Sequence, residues 1–193
     1  MALRVSLKFA ILLLIVFLQC SSASRYDDYL NYSIQLDQLV DSLKIKKKDL
    51  KILIDKSDYK LTLYTEAAKV KEYPVVFGGD PVEDKLMEGD ERTPEGVFSI
   101  RGFYPHKSWS KFLWIDYPTK DSWSKHKKAI AEGRIPKGAK IGGEIGIHGV
   151  PSGYDHAIDN KMNWTLGCIS LKNKDVDEIY RYVYESMPVT IVK

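Results

Sequence analysis

The sequence contains few cysteines, little net charge and no long hydrophobic run, and each scarcity excludes a class of protein. Two cysteines among 193 residues are too few for a disulfide-stapled secreted domain. The 29 basic residues are nearly balanced by 26 acidic ones, for a formal net charge of +3, whereas a nucleic-acid-binding surface needs a clustered basic excess. With 44% hydrophobic and 28% charged residues, the composition also excludes an intrinsically disordered or collagen-like chain. We therefore expect one folded domain with no nucleic-acid partner.

The first 23 residues have the pattern of a secretory signal peptide. Arg4 and Lys8 precede an apolar run from Phe9 to Leu18, and small residues follow at 21–24. A positive start, roughly 7–15 apolar residues and a small-residue exit are typical of an export signal, whereas a transmembrane helix needs about 20 apolar residues. We expect residues 1–23 to be removed and the mature chain to be exported.

The N-terminus and the two cysteines leave alternatives open. An uncleaved signal would anchor the chain in a membrane, and a lipid on Cys20 would do the same, although Gln19 stands where a lipidation site has a small residue. We expect no other membrane contact. If Cys20 leaves with the signal, Cys168 remains as the single cysteine of an exported protein. An odd thiol in that setting indicates either a reactive side chain or a buried, inert one.

The remaining sequence divides into a short extension and a β-rich domain. Residues 24–49 form the extension, in which apolar residues at helical spacing predict an N-terminal helix over 26–45 and a lysine-rich linker follows. Residues 50–193 hold two segments of helical character, near 122–131 and 173–186. The domain also contains short apolar or β-branched runs, separated by Gly, Pro or Asp turn signals, that predict strands at 52–54, 61–64, 73–77, 97–100, 112–115, 145–148 and 188–192. The fold class expected is mainly β with a few helices (α+β), arranged as a sandwich or barrel-like pair of sheets.

A histidine and a cysteine lie at the ends of two apolar runs. His148 ends one predicted strand, and Cys168 lies at the start of the next apolar run, about twenty residues later. Side by side, they form a nucleophilic pair in which the imidazole takes the thiol proton and the thiolate attacks a carbonyl carbon. Gly167 and Gly149 leave space for a substrate beside the backbone, and the amides here are candidates for stabilising an oxyanion.

The residues around this pair resemble the signature of the L,D-transpeptidase (YkuD-type) catalytic domain. In that family a His is followed, after a spacer, by Ser or Thr, then His, Gly and Cys. In this sequence sixteen residues separate His148 from Thr165-Leu166-Gly167-Cys168. The segment Thr93-Pro94-Glu95-Gly96 is similar to a second family segment, and the resemblance covers about residues 50–193.

The resemblance implies acyl transfer on peptidoglycan stem peptides in the periplasm or cell envelope of a bacterium, with no cofactor. Cys168 would attack the carbonyl at the L-centre of the third stem residue, often diaminopimelate, and form a thioester, with His148 as proton donor and acceptor. An amine would complete L,D-transpeptidation, and water would complete hydrolysis. Two positions depart from the family pattern, because Leu166 replaces the second His and Ser170 replaces a common Arg or Asn. These departures bear on the substrate more than on the chemistry.

Other functions stay open. A hydrolase on the same scaffold, acting as an L,D-endopeptidase or carboxypeptidase, would cut after diaminopimelate or release a wall-linked protein with the same two residues. A non-catalytic wall-binding module is disfavoured by the intact Cys–His pair. A structural or adhesive surface protein is disfavoured because the sequence has no internal repeat.

Several side chains near the motif are candidates for contacting substrate. Those that precede the nucleophile in its own loop are Tyr154, His156, Trp164 and Thr165. Ordinary packing is an equal alternative for the aromatic ones. Arg92, in the loop 80–96, would meet a substrate carboxylate unless it is simply a solvated charge.

The remaining histidines carry weaker expectations. Zinc bound by His148, His156 and Cys168 is conceivable from the residue types, but the spacing fits no common zinc motif, so we expect no metal. His106 and His126 lie among lysines and serines and are expected to be exposed.

Overall fold

The apolar runs pair into one eight-stranded sheet in the computed structural model, which describes residues 26–193. The predicted signal peptide and Cys20 lie outside the described residues. The strand order is β3-β2-β1-β8-β4-β5-β6-β7. The strands are β1 (Lys51–Asp55), β2 (Lys60–Tyr64), β3 (Lys69–Pro74), β4 (Gly96–His106), β5 (Ser110–Ile115), β6 (Gly146–His148), β7 (Ile169–Ser170) and β8 (Pro188–Val192). The helices are α1 (Leu36–Ser42), α2 (Lys120–Ala131), α3 (His156–Asp159) and α4 (Asn173–Tyr180), with a 3-10 turn at Lys47–Asp49.

The long strand β4 joins the two halves of the sheet. Its first residues, 96–99, pair with β8, and its later residues pair with β5 after a shift of register between Ile100 and Gly102. One hydrophobic cluster takes side chains from both halves, including Ile54 from β1 and Ile147 from β6. A sheet that encloses its own core on one face is barrel-like, and the expected fold class, mainly β with a few helices, is confirmed.

The N-terminal helix is shorter than the prediction over 26–45. Residues 26–34 form turns with short internal bonds, such as the one from the Tyr32 amide to the Tyr29 carbonyl at 3.2 Å. The stretch also bonds to β3: the Glu72 amide donates to the Leu30 carbonyl at 2.9 Å, and the Asn31 side-chain amide donates to the Val70 carbonyl at 2.9 Å. Only α1 is helical, and its apolar face, which includes Leu36 and Leu39, packs into the main core. The extension is therefore docked on the sheet.

The other two predicted helices are present, and in each of them one boundary differs from the prediction. Helix α2 begins after Thr119, whose hydroxyl accepts from the Ser122 amide at 3.3 Å and caps the first turn. The helix α4 ends at Tyr180, six residues before the predicted end at Ser186. Among the helices within residues 26–193, none is long and apolar enough to span a membrane.

Candidate active site

The register of β6 and β7 places Cys168 and His148 on the same face of the sheet. The two strands are parallel, with Ile147 opposite Ile169 and His148 opposite Ser170. Because side chains alternate along a strand and both isoleucines lie in the core, His148 and Ser170 point to the other face. Cys168, two residues before Ser170, shares that face. The thiol and the imidazole both line one open cavity of about 700 Å³.

A hydroxyl holds the turn that carries Cys168. The buried Thr165 side chain donates to the Cys168 carbonyl at 2.7 Å and accepts from the Gly167 amide at 3.2 Å. Gly167 has a φ of +131°, and a Cβ there would lie 2.6 Å from the Arg92 carbonyl oxygen. Only glycine fits this backbone, so the spacing of Thr, Gly and Cys in the motif is the geometry of one tight turn.

A backbone carbonyl orients the imidazole of His148. Its Nδ1 lies 2.7 Å from the Gly149 carbonyl oxygen, and a carbonyl only accepts, so Nδ1 carries the proton and Nε2 is left as a base. The ring is 2% exposed, and this burial lowers the pKa of His148 to about 4. The imidazole is therefore neutral at physiological pH. No carboxylate is needed to select its tautomer.

The thiol of Cys168 is also neutral in the free protein. It donates to the Glu144 carbonyl at 3.5 Å, and burial raises its pKa to about 11, opposed by the Gly146 amide and the charge of Lys85. A neutral thiol that shares a cavity with a neutral base reacts only as its proton leaves. The arrangement therefore suits general-base catalysis in which deprotonation accompanies attack, rather than a thiolate stored before substrate binds.

The two glycines expected at the oxyanion site shape the backbone. The Gly149 amide donates to the Trp109 carbonyl at 2.9 Å, and the Gly167 amide is engaged by Thr165. A Cβ on Gly149 would lie 2.5 Å from that same Trp109 oxygen. The main-chain amide of Cys168, by contrast, donates to no acceptor in the part of the chain that the structure describes. Within residues 26–193, it is the amide next to the Cys168 thiol that is free to donate.

The structure brings some of the other expected residues into the cavity and leaves others outside it. Trp164 and Thr165 line the cavity, whereas Tyr154 and His156 do not. Tyr154 packs against Trp164 from outside, with ring centroids 5.9 Å apart, and His156 is exposed at the start of α3. The Arg92 guanidinium points to Asp80, with Nε 2.8 Å from the carboxylate oxygen.

Two of the remaining histidines, His106 and His126, are less exposed than expected. The exposure expected for His126 is wrong, because this residue faces the core side of α2 and its Nδ1 lies 2.6 Å from the Leu86 carbonyl oxygen. His106 is partly buried and stacks on Trp109. Among residues 26–193, no three His, Cys, Asp or Glu side chains are grouped so as to hold a metal ion.

The motif alone does not identify the walls of the cavity. Trp109, from the turn between β4 and β5, stacks on His148 with ring centroids 4.4 Å apart. Three exposed acidic side chains, Glu88, Glu91 and Glu144, also line the cavity. None of them follows from the motif, because they come from loops distant in sequence. The family-like segment at 93–96 was the one signal that this loop region approaches the nucleophile.

The charge of the cavity is negative. Its one basic side chain, Lys85, is buried and neutralised by Asp90, with Nζ 2.7 Å from the carboxylate oxygen. Four groups hold the Asp90 carboxylate in place, namely Lys85 Nζ and the amides of Leu86, Met87 and Arg92. These contacts lower the pKa of Asp90 against the effect of its burial. Lys85 therefore does not neutralise the charges of the three glutamates at the rim of the cavity.

Comparison with known proteins gives a family match over most of the chain. The sequence profile of the L,D-transpeptidase catalytic domain (YkuD) matches residues 49–191. The chain belongs to this family. The resemblance to this family, which the Thr165-to-Cys168 motif indicated for about residues 50–193, is thus confirmed.

Solved structures share the fold at low sequence identity. The helical cell shape determining protein Pgp2 from Campylobacter jejuni is 21% identical, with a TM-score of 0.55 over 82% of this chain and 55% of that one. Bd1075 from Bdellovibrio bacteriovorus is 19% identical, with a TM-score of 0.52 over 75% of this chain and 48% of that one. L,D-transpeptidase 3 from Mycobacterium tuberculosis, in complex with a faropenem-derived adduct, is 13% identical, with a TM-score of 0.50 over 75% and 60%.

These structural similarities establish the fold of the L,D-transpeptidase domain and no more. The chain spans about half of the length of Bd1075 and Pgp2. Among curated proteins, none matches the sequence significantly.

Proposed function

We propose that this protein is an exported cysteine acyltransferase that performs L,D-transpeptidation on peptidoglycan stem peptides. The observation that carries the proposal is the pairing of Cys168 with His148 in one open cavity, with Nδ1 of the imidazole held by the Gly149 carbonyl and Nε2 free to act as a base. Membership of the family supports the choice of substrate. The signal-like first 23 residues support export to the bacterial envelope, where that substrate lies.

The reaction balances in protons and electron pairs with these two side chains. Nε2 of His148 accepts the thiol proton as Sγ of Cys168 forms a bond to the carbonyl carbon at the L-centre of the third stem residue. The tetrahedral intermediate collapses, the C–N bond breaks, and the imidazolium returns the proton to the departing D-amino acid amine. A neutral acceptor amine then attacks the thioester and gives its proton to Nε2. The second tetrahedral intermediate collapses with cleavage of the C–S bond, and the imidazolium returns that proton to the departing sulfur, which restores the neutral thiol and imidazole.

The free amide of Cys168 supports this chemistry. The negative charge of the tetrahedral intermediate develops next to the nucleophile, where this amide is available to donate. Thr165 holds the Gly167 amide on one side and the Cys168 carbonyl on the other, so the backbone that carries the Cys168 amide is fixed before substrate binds. We assign the oxyanion contact to Cys168 rather than to Gly149 or Gly167, whose amides already donate within the protein.

The charge of the cavity supports a peptide with free ammonium groups. Glu88, Glu91 and Glu144 face the space that the acceptor must cross, and Lys85 is neutralised by Asp90. Stem peptides containing diaminopimelate carry an amine of this kind on the third residue. The acidic rim attracts the ammonium form of that group. The fraction that has lost its proton to solvent attacks the thioester, and His148 accepts the proton that this neutral amine releases on attack.

A hydrolase is the alternative that one observation favours. Leu166 stands where the family usually has a His, and it is 77% exposed at the lip of the cavity. A leucine supplies no second base, which leaves His148 as the group that must take the proton released by either the attacking amine or water. With water as acceptor, the same thioester gives shortened stem peptides or releases a wall-linked protein.

The deciding experiment is mass spectrometry of purified tetrapeptide muropeptides after incubation with the mature chain and a free D-amino acid. Wild type is expected to give cross-linked dimers or exchange of the terminal D-amino acid. Cys168→Ala and His148→Gln, compared as folded proteins by circular dichroism, are expected to give neither. Shortened products that depend on Cys168 would select the hydrolase. Equal turnover by Cys168→Ala would refute the nucleophile, and the absence of any product with wild type would refute this substrate.

A further inference from the structure

Trp109 lies between two imidazole rings at the wall of the cavity. Its indole is stacked on His148 with a centroid distance of 4.4 Å and an interplanar angle of 24°. On its other face lies His106, at 4.3 Å and 11°. Trp164 meets the same His148 ring edge-on at 5.6 Å. The indole therefore covers one face of the imidazole.

The main chain of Trp109 also reaches the carbonyl that orients His148. The Trp109 carbonyl accepts from the Gly149 amide at 2.9 Å, and the Gly149 carbonyl accepts from Nδ1 of His148 at 2.7 Å. Trp109 of the β4–β5 hairpin thus contacts one face of the imidazole with its indole. Its carbonyl also holds the Gly149 amide, next to the Gly149 carbonyl that selects the tautomer of His148. The absence of space for a Cβ at Gly149 shows how closely the two segments approach.

The hairpin is itself fixed to a helix on the side away from the cavity. Lys111 lies 3.1 Å from the Asp177 carboxylate of α4, and the Ser110 hydroxyl donates to the same carboxylate. Asp177 makes no contact with His148, so it anchors the hairpin from outside the cavity. A change at Asp177 therefore loosens Trp109 without removing a group from the cavity wall.

We infer that Trp109 is a positioning residue for His148, and that the β4–β5 hairpin keeps this base dry, neutral and correctly oriented through it. The inference rests on the proposed function, in which His148 is the base. The indole excludes water from one face of the ring, and its carbonyl steadies the Gly149 peptide. Trp109 touches the cavity but does no proton transfer, so its effect passes through His148.

The charged and titratable groups around the ring agree with this division of roles. His106 lies behind Trp109, and its charge disfavours protonation of His148, although burial is the larger cause of the lowered pKa. The groups facing the cavity are Lys85, Glu88, Glu91, Glu144 and the neutral thiol of Cys168. Loss of the indole exposes the ring to water and to these acidic groups, and both changes raise the pKa of His148.

The test compares Trp109→Leu and Trp109→Phe with Trp123→Leu. Trp123, on α2, also meets a histidine ring, His126, at 5.7 Å, but it lies outside this cavity, so it is a matched control. NMR titration of His148 is expected to show its pKa moving from about 4 toward the ordinary value of about 6.5 in Trp109→Leu. In Trp109→Phe the pKa of His148 should stay close to its low value, and in Trp123→Leu it should not change.

The pH profile of acylation provides a second readout. Acylation of Cys168 by a carbapenem is followed by intact mass. A full shift to about 6.5 would reduce the neutral fraction of His148 near pH 5 about thirtyfold and leave it almost unchanged near pH 8. The ratio of Trp109→Leu to wild-type rates should therefore fall steeply on acidification. A merely structural defect would lower the rate equally at both pH values.

A further variant guards against misfolding. Asp177→Asn loosens the hairpin while leaving Trp109 and the cavity wall in place, and it should raise the His148 pKa by a smaller amount in the same direction. Unchanged titration in both Trp109→Leu and Asp177→Asn would overturn the inference, as would parallel pH profiles. The titration requires no turnover. A shifted His148 pKa in a protein that modifies no muropeptide would therefore refute the proposed function alone.

Discussion

The buried Asp175 allows a quantitative prediction about how this fold depends on pH. It lies in the first turn of α4 and is 4% exposed, with the Tyr32 hydroxyl donating to it at 2.9 Å. Burial raises its pKa from the ordinary 3.8 to about 6, the nearby Glu178 carboxylate adds to this, and Tyr32 with two lysines opposes it. The perturbation is Asp175→Asn, which removes the charge and keeps an oxygen for Tyr32.

The direction in which pH changes the folding stability follows from the raised pKa of Asp175. Below about pH 3.8 both the folded and the unfolded chain hold the proton, and Asp175 has no effect on stability. As the pH rises to about 6, the unfolded state loses its proton first, so the folded state is progressively disfavoured. Above about pH 7 the penalty is complete. A pKa shift of roughly two units corresponds to about 3 kcal/mol of lost folding stability. Asp175→Asn recovers this amount less about 0.3–1 kcal/mol, because it also removes a negative charge that favours a helix N-terminus.

Asp175→Asn should therefore stabilise the protein by about 2 kcal/mol near pH 8, or roughly 4–8 °C in Tm for a domain of this size. The assay is urea unfolding followed by tryptophan fluorescence near pH 4.5, 6 and 8, with the slope of the transition compared between variants. The gain should shrink toward the lowest pH. Asp121→Asn, an exposed first-turn aspartate of α2, is the control and should gain nothing at any pH. A gain that is constant with pH, or a less stable Asp175→Asn near pH 8, would refute the reasoning.

Two further substitutions test the turn and the backbone around the site. Thr165→Val leaves the Gly167 amide and the Cys168 carbonyl without their partner, so it should lower the free energy of unfolding by about 1–3 kcal/mol, measured in urea, while Thr165→Ser should retain most of it. Equal stability of the two variants would contradict the role of the hydroxyl. Gly149→Ala introduces a Cβ 2.5 Å from the backbone of the hairpin and should slow acylation of the thiol by at least about tenfold. Gly102→Ala, where a Cβ meets nothing within 4 Å, is its control, and equal rates for the two would argue against the close approach.

The motif was readable from the sequence because its geometry is local. Thr165, Gly167 and Cys168 form one turn whose hydrogen bonds span three residues, so the order of residue types is nearly the structure itself. The strands were readable because alternating burial leaves a period of two, as in β1, where Ile52 and Ile54 are buried between partly exposed neighbours.

The errors came where tertiary contacts outweigh local pattern. The stripe over 26–45 resembles a long helix, yet residues 26–34 find their hydrogen-bond partners on β3. His126 has polar neighbours in sequence, yet its helix turns it toward the carbonyl of Leu86. Its spacing from Ser122 and Ala129, which share the buried face, was the signal that would have identified it.

By itself, the amino-acid sequence determined the family, the mainly β fold and the proposed Cys168–His148 pair, because these depend on residue types at short spacing and on periodic burial. The tertiary structure alone decided the protonation of that pair, through the burial of His148, the desolvation of the partly buried Cys168 and the Gly149 carbonyl. It also decided the acidic rim and the indole of Trp109 stacked on the imidazole. The physical reason is that desolvation and ring stacking depend on which distant segments approach a group, and no local pattern encodes that distance.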